Sequence, residues 1–408
     1  RSVVADPASA ADAAAVTALI DACDVVIASP DVDAALPAAW AQALARCPIV
    51  CEITAFGSTG PLAGQPADER TLQALTGVLV TTGLPDGPAT PVGVPVLEMS
   101  SALYAAGAIA AALHVQRRDG RGQRVEVALF DVGINALTTF MPAHLAGLQP
   151  RRLGNGHGMA VPWNAYPTAD GWVLICSTND AQWRRIAQLV DPALAQDARY
   201  AELRDRLSHR EAIDARISAW TRGLPLETVS GLLGAQGIPC GGIVTVAGLA
   251  QEPNLALRDT VREVTDPSTG QPVKVTGAFI RLDDARAPSP EIPVSQPVTR
   301  ITLPPRRPAP APSNPGSGPA ASALAGLRVV EVGQLTTAPL AARHLASFGA
   351  DVIKIEPPEG ESARAWAPLR DGVSHFFVAS NGEKRSLALD LRDAAGAQRL
   401  ADLLAEAD

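Results

Sequence analysis

Ring-bearing and sulfur side chains are scarce in this chain of 408 residues. Aromatics make up 4%, and there are six histidines, five cysteines and three methionines. Cys23, Cys47, Cys51, Cys176 and Cys240 form no C-x-x-C, and the histidines form no H-E-x-x-H. A zinc site is therefore not expected, nor any other metal. An odd number of unclustered thiols fits a reducing compartment, so the expected location is cytoplasmic. The formal net charge is −8 with no basic tract, which excludes non-specific nucleic-acid binding. No G-x-G-x-x-G joins a strand to a helix, so a nicotinamide cofactor has no support. The apolar run at 102–114 is too short to cross a bilayer, and no membrane partner is expected. There is no signal peptide, but the chain opens at Arg1 without a methionine, so its true N-terminus is expected further upstream.

What is present is 47% hydrophobic residues, with 34 glycines and 35 prolines, in a chain long enough for two or three domains. Residues 10–22 pattern as a helix, 24–28 as a strand, 34–45 as a helix and 49–54 as a strand. Helices alternating with short apolar strands predict αβ layering with a parallel sheet. The loop Ala55-Phe56-Gly57-Ser58-Thr59-Gly60-Pro61 then falls at the carboxyl end of a strand, where open sheets bind ligands. A helix is expected over 68–79 and another over 131–147. Gly154-Asn155-Gly156-His157-Gly158 is a ligand-compatible loop, although a lone loop histidine also suits a surface position. The alternation over 165–176 predicts a hairpin around Asp170-Gly171. Residues 197–229 read as helical and 259–275 as a β-ribbon. Residues 166–280 thus form a smaller α+β domain.

The stretch 91–127 places Glu98 at the mouth of a long apolar helix that Ser100 or Ser101 can cap. The small residues of 102–112 suggest a helix packed on several sides. A cationic turn, Arg117-Arg118-Asp119-Gly120-Arg121-Gly122-Gln123, follows. Acid and turn together form a candidate site, or else a core helix with a solvated loop.

Seven prolines between 301 and 326 mark an extended linker. A new αβ unit follows, with strands at 327–332 and 352–356 and a helix at 337–348. At a constant offset of 384, residues 385–408 match residues 1–24 at Arg, Ser, Asp, Ala, Ala, Ala, Leu and Asp. This gapless register reads as an internal repeat, so the chain looks like the later part of one copy, a linker, and the start of the next.

These motifs resemble the class III CoA-transferase family, which includes formyl-CoA and carnitine-CoA transferases and α-methylacyl-CoA racemases. The resemblance rests on Leu327-Arg328-Val329-Val330-Glu331-Val332 and on 345–357 (LASFGADVIKIEP). It continues through Asn381-Gly382-Glu383-Lys384-Arg385-Ser386-Leu387. In the first copy it rests on 54–61, Gln73-Ala74-Leu75-Thr76-Gly77 and Gly120-Arg121-Gly122-Gln123-Arg124-Val125. It implies an α/β fold with a Rossmann-like large domain, a smaller α+β domain, and two units interlocked like links. The domain map is then 1–165, remainder of the large domain of the first copy; 166–280, small domain; 281–300, return segment; 301–326, linker; and 327–408, start of the second copy's Rossmann-like domain.

The resemblance further implies coenzyme A as substrate or product, with an acyl-CoA and a small carboxylic acid as partners, in an interlocked homodimer or an intramolecular pairing of copies. The family's nucleophilic aspartate, which forms a mixed anhydride with the acyl group, falls on Glu98 here. Glu98 either keeps that chemistry or marks a degenerate, non-catalytic half. The family's Asn-Phe-Arg-Pro-Gly is replaced by Ala28-Ser29-Pro30-Asp31. Asp68-Glu69 stands where the racemase branch carries a histidine, which leaves α-methylacyl-CoA racemase as an alternative activity. The CoA site is implied at Thr336, Thr337, Ala338, Lys354 and Arg364, with Gly156 and Gly158 covering the acyl end. Arg364 reads equally as a solvated surface arginine.

Overall fold

The computed structural model describes residues 2–6, 8–29, 37–177, 179–277, 279–283, 285–286, 292–293, 295–298 and 322–408. The proline-rich linker up to residue 321, together with Pro30 and Asp31, lies outside these. The chain forms two units, one of residues 1–15 with 155–302 and one of 16–154 with 303–408.

The first unit is built on an antiparallel sheet of Trp163–Pro167, Trp172–Cys176 and Cys240–Gly242, with the expected hairpin between its first two strands. Period-2 alternation buries Tyr166, Val173 and Ile175 against Trp183, Ile213 and Ile217 from the helices Asp180–Val190 and Arg210–Arg222. The Tyr166 hydroxyl donates to Asp214 at 2.6 Å. Arg206 is fully buried, and it donates to the Val161, Tyr200 and Ala201 carbonyls and to Asp180. Val261–Thr265 and Pro272–Thr276 form the expected β-ribbon.

The second unit holds two parallel three-stranded sheets. One has the order Val25–Ala28, Ile49–Thr54, Gln123–Ala128. The other has the order Arg328–Glu331, Asp351–Glu356, Arg385–Ala388. The helix Val96–Asp119 lies against the first sheet, with Ala105 packed beside Cys51 and Val127. Its Ala111 meets Leu324, Ala342 and Ala346 at the helix Thr337–Ser347.

Several expectations need correcting. The 68–79 segment is two helices, Glu69–Leu75 and Val78–Thr81. Gly77 between them adopts φ +81°, a left-handed turn no helix can continue through. The 131–147 segment is also two helices, Leu129–Ala136 and Phe140–Leu145. Pro142 has no N–H to give to a preceding turn, so the helix restarts just before it.

The long helix begins at Val96, five residues before Ser101, so neither Ser100 nor Ser101 caps it. At 24 residues it is also long and apolar enough to cross a bilayer by length and composition, contrary to the reading of 102–114 alone. Here it carries charges at both ends and packs on a sheet. It packs on the sheet, on the helix Leu129–Ala136 and on the helix Thr337–Ser347, as its small residues suggest, but one stripe stays open, because Met99 and Leu103 are 60% and 55% exposed and Ala102, Ala106 and Ala110 continue it.

Candidate functional site

The strand Ile49–Thr54 ends in a loop pinned from two directions. The Gly57 N–H donates to Thr54 Oγ1 at 2.8 Å, and the Ser58 N–H donates to Glu126 at 3.0 Å. Gly57 has φ +86°, and a Cβ there would lie 3.0 Å from Glu126 Oε1, so both conformation and space favour glycine. Beside this loop is a cavity of about 850 Å³, with Glu98, Ser101, Glu52, Phe56, Ser58 and Gln65 in its wall. It sits at the carboxyl end of a parallel strand, where helix N-termini and loops leave room for ligands.

Glu98 enters this cavity from the first turn of the long helix. That turn is held by another carboxylate. Glu69 accepts the Leu97 N–H at 3.1 Å and the Glu98 N–H at 2.9 Å, satisfying two of the four N–H groups a helix start leaves open. Gln73 donates to Glu69 at 2.7 Å and accepts the Val92 N–H, fixing the chain that enters the helix. Asp68 caps the preceding helix through the Thr71 N–H at 2.7 Å, and the Thr71 side chain together with that N–H holds its carboxyl below the usual range. The Asp68-Glu69 pair is thus a double cap. Glu98 itself is exposed, and among the described residues none hydrogen-bonds its carboxylate.

Ser101 is different. It is 1% exposed, it lines the same cavity, and its Oγ has no hydrogen-bond partner among the described residues. Sequence reading offered it only as a cap. The signal available was its spacing from Glu98, since positions i and i+3 share a helix face.

Glu98 and the cationic turn do not form one site. They lie at opposite ends of the helix, roughly 30 Å apart at 1.5 Å per residue. Two of the turn's three arginines, and Arg124 just after it, are used structurally. Arg118 and Arg121 pair with Asp119, and Arg124 donates to the Leu44, Ala45 and Cys47 carbonyls at the end of the helix Ala38–Arg46.

In the other sheet, Thr336 precedes and Thr337 and Ala338 open the helix Thr337–Ser347. Lys354 is 1% exposed and lies between Glu331 at 2.8 Å and Glu361 at 2.6 Å, also donating to the Gly333 carbonyl. Burial works against its charge, but the two carboxylates outweigh it and raise its pKa. Lys384 reaches the other Glu331 oxygen at 2.7 Å, and there burial wins and lowers the pKa.

Arg364 grips Glu356 with two 2.6 Å bonds and stacks 4.0 Å over Phe377. Those bonds hold the Glu356 carboxyl down at about 2. A cavity of about 600 Å³ opens at the carboxyl ends of these strands, lined by Gly333, Gln334, Glu356, Pro357, Gly360 and Asp390 among others. Thr336, Thr337, Ala338, Lys354 and Arg364 border that region without lining the cavity, and none lines the Glu98 cavity.

Gly156 and Gly158 belong to the other unit. The intervening His157 stacks on Trp163 at 4.5 Å, and its carbonyl accepts Arg210 at 2.6 Å. Burial lowers the His157 pKa. All five cysteines are free, and burial raises the thiols of Cys23, Cys51, Cys176 and Cys240. No cluster of three or more metal-ligating side chains occurs among the described residues.

The model of CoA-transferase family III matches residues 1–295 and 324–408. Over 237 residues the chain is 31% identical to a succinyl-CoA–D-citramalate CoA-transferase of Chloroflexus aurantiacus, covering 57% of this chain and 59% of that one. Over 264 residues it is 32% identical to a succinate–glutarate CoA-transferase of Agrobacterium fabrum, covering 63% and 66%. The chain therefore spans under two thirds of the length of either relative. Among solved structures, a CaiB/BaiF family protein from Brucella suis superposes with a TM-score of 0.60 at 29% identity, covering 72% of this chain and 78% of that one.

Proposed function

The chain belongs to CoA-transferase family III, and from that premise we propose that it moves coenzyme A between an acyl-CoA and a carboxylic acid, with Glu98 as the nucleophile. A Glu98 oxygen bonds to the thioester carbonyl carbon, the C–S bond breaks, and the CoA thiolate leaves with the electron pair. The product is a mixed anhydride on Glu98. The thiolate returns to the Glu98 carbonyl, which frees the donor acid, and the acceptor carboxylate then runs the same exchange in reverse. The observation that carries this reading is the position of Glu98, anchored through its own N–H at a helix start and facing a cavity at the end of a strand. Small dicarboxylic acids are the proposed acceptors, supported by the names of the relatives.

The 327–408 segment is proposed to bind the CoA nucleotide. Thr336, Thr337 and Ala338 would offer N–H groups at the start of an eleven-residue helix, and Arg364 a half-exposed guanidinium. Lys354, paired internally, would hold the turn at Gly333 in place. Gly156 and Gly158 are proposed for the acyl end. The domain map given above stands as part of this proposal, as does duplication at the 384-residue offset. The duplication is supported by like elements at both ends: strand Ser2–Val4 and helix Ala10–Ala22 against strand Arg385–Ala388 and helix Ala394–Ala405.

A second copy of the chain is the proposed partner. It would cover the open apolar stripe at Met99 and Leu103 and shield Glu98 from water, which would otherwise hydrolyse the anhydride. The exposure of Glu98 also favours a second reading, in which this copy is the non-catalytic half of a tandem transferase.

Incubation with succinyl-CoA, proteolysis and mass spectrometry test the proposal. A hydroxylamine-sensitive succinyl adduct on the Glu98 peptide, absent in Glu98→Gln, supports it. No adduct and no transfer would favour the non-catalytic half. Deuterium uptake at the α-carbon of a 2-methylacyl-CoA, without an acceptor acid, would replace transfer by racemisation.

A further inference from the structure

The cavity that holds Glu98 contains a buried hydroxyl that the fold leaves unused. Ser101 Oγ is unpaired at 1% exposure, and buried hydroxyls are rarely left so because desolvation without a partner is unfavourable. A serine inside a helix usually donates to the carbonyl one turn back, and Ser101 does not. The neighbouring backbone donors are occupied. Gly57 donates to Thr54, Ser58 to Glu126, and Leu97 and Glu98 to Glu69. No lysine, arginine or histidine lines the cavity among the described residues. The side chains of Ser29, Thr54, Ser58 and Gln65 also line it, but none of them is buried, so Ser101 is the buried side-chain donor in this wall, one helical turn from Glu98.

We propose that Ser101 is a catalytic hydrogen-bond donor to the thioester carbonyl oxygen; this rests on Glu98 as the nucleophile. As the Glu98 oxygen bonds to the carbonyl carbon, the π pair moves onto the carbonyl oxygen, and the Ser101 O–H holds it. The pair then returns, the C–S bond breaks and the thiolate carries its electrons away. Ser101 keeps its proton throughout. A buried hydroxyl with no competing partner suits this role because no hydrogen bond within the protein has to be given up when charge forms.

The test is the single-turnover rate of adduct formation on the Glu98 peptide, measured by rapid quench of the full chain with succinyl-CoA. Ser101→Ala is expected to slow acylation about a hundredfold, the scale for loss of one such donor. Ser101→Cys, nearly the same size but a weak donor, is expected to slow it comparably and guards against a fold defect in the alanine variant. Ser101→Thr keeps the hydroxyl and is expected to stay within about threefold. A packing role would reverse this order, with Cys tolerated and Thr, which adds a methyl, worst; that order, or a wild-type rate in Ser101→Ala, overturns the assignment. An adduct formed equally by wild type and Ser101→Ala defeats only the role of Ser101. No adduct in the wild type defeats Glu98 as the nucleophile, and Ser101 with it.

Discussion

Lys354 and Arg364 show how much a single residue's meaning depends on its partners. Each is a cation that the family resemblance implies at the CoA site. Lys354 lies within 2.8 Å of two carboxylates in a buried network. Replacing it by methionine leaves Glu331 and Glu361 buried without that counter-charge. The expected loss of stability is about 3–5 kcal/mol, read as a lower urea midpoint. An unchanged midpoint would show that the network adds nothing. Arg364 has a pH signature. Its bonds put the folded Glu356 carboxyl at about 2, below the unfolded value of 4.5. The stability so gained is fully present above about pH 4.5 and is lost as the pH falls through about 2. Arg364→Gln should therefore melt below wild type at neutral pH, with a gap that closes on acidification. A gap independent of pH would place the cost in lost stacking on Phe377 instead.

At the scale of elements, the start of the long helix links fold to site. Glu69 holds the first turn through the N–H groups of Leu97 and Glu98. Glu69→Ala should cost about 0.5–2 kcal/mol, as removal of a helix cap does. It should also slow acylation of Glu98, because the nucleophile's own backbone loses its anchor. Glu69→Gln keeps an acceptor and should fall between, and thermal melting beside the adduct assay separates the two effects. Normal acylation in Glu69→Ala would show that the anchor serves stability alone. The strand 49–54 is legible to the residue because a short run rich in β-branched residues, set between the turn at Cys47-Pro48 and the glycine loop that follows, has few alternatives. The breaks at Gly77 and Pro142 were visible as residue types, yet periodicity carried the reading across them. The Glu69 cap joins positions 28 and 29 apart in sequence, a distance at which no local pattern operates.

For the whole molecule, the open stripe on the long helix decides the proposal about partners. Solution scattering or light scattering should give twice the mass of one chain. Leu103→Glu, placing a charge on that stripe, should shift the protein toward the mass of one chain with secondary structure intact. A monomeric wild type would remove the interlocked pair from the proposal.

The sequence by itself determined the αβ layering, the hairpin, the β-ribbon, the family and the position of the acid. These follow from periodicity, turn residues and short motifs, all of which act over a few residues. Only the tertiary structure decided which charges are spent internally, as at Arg124 and Lys354, and which groups stay open, as at Glu98 and Ser101. A side chain's availability depends on what distant segments bring against it. Burial and hydrogen-bond pairing are settled by packing rather than by neighbours in the chain.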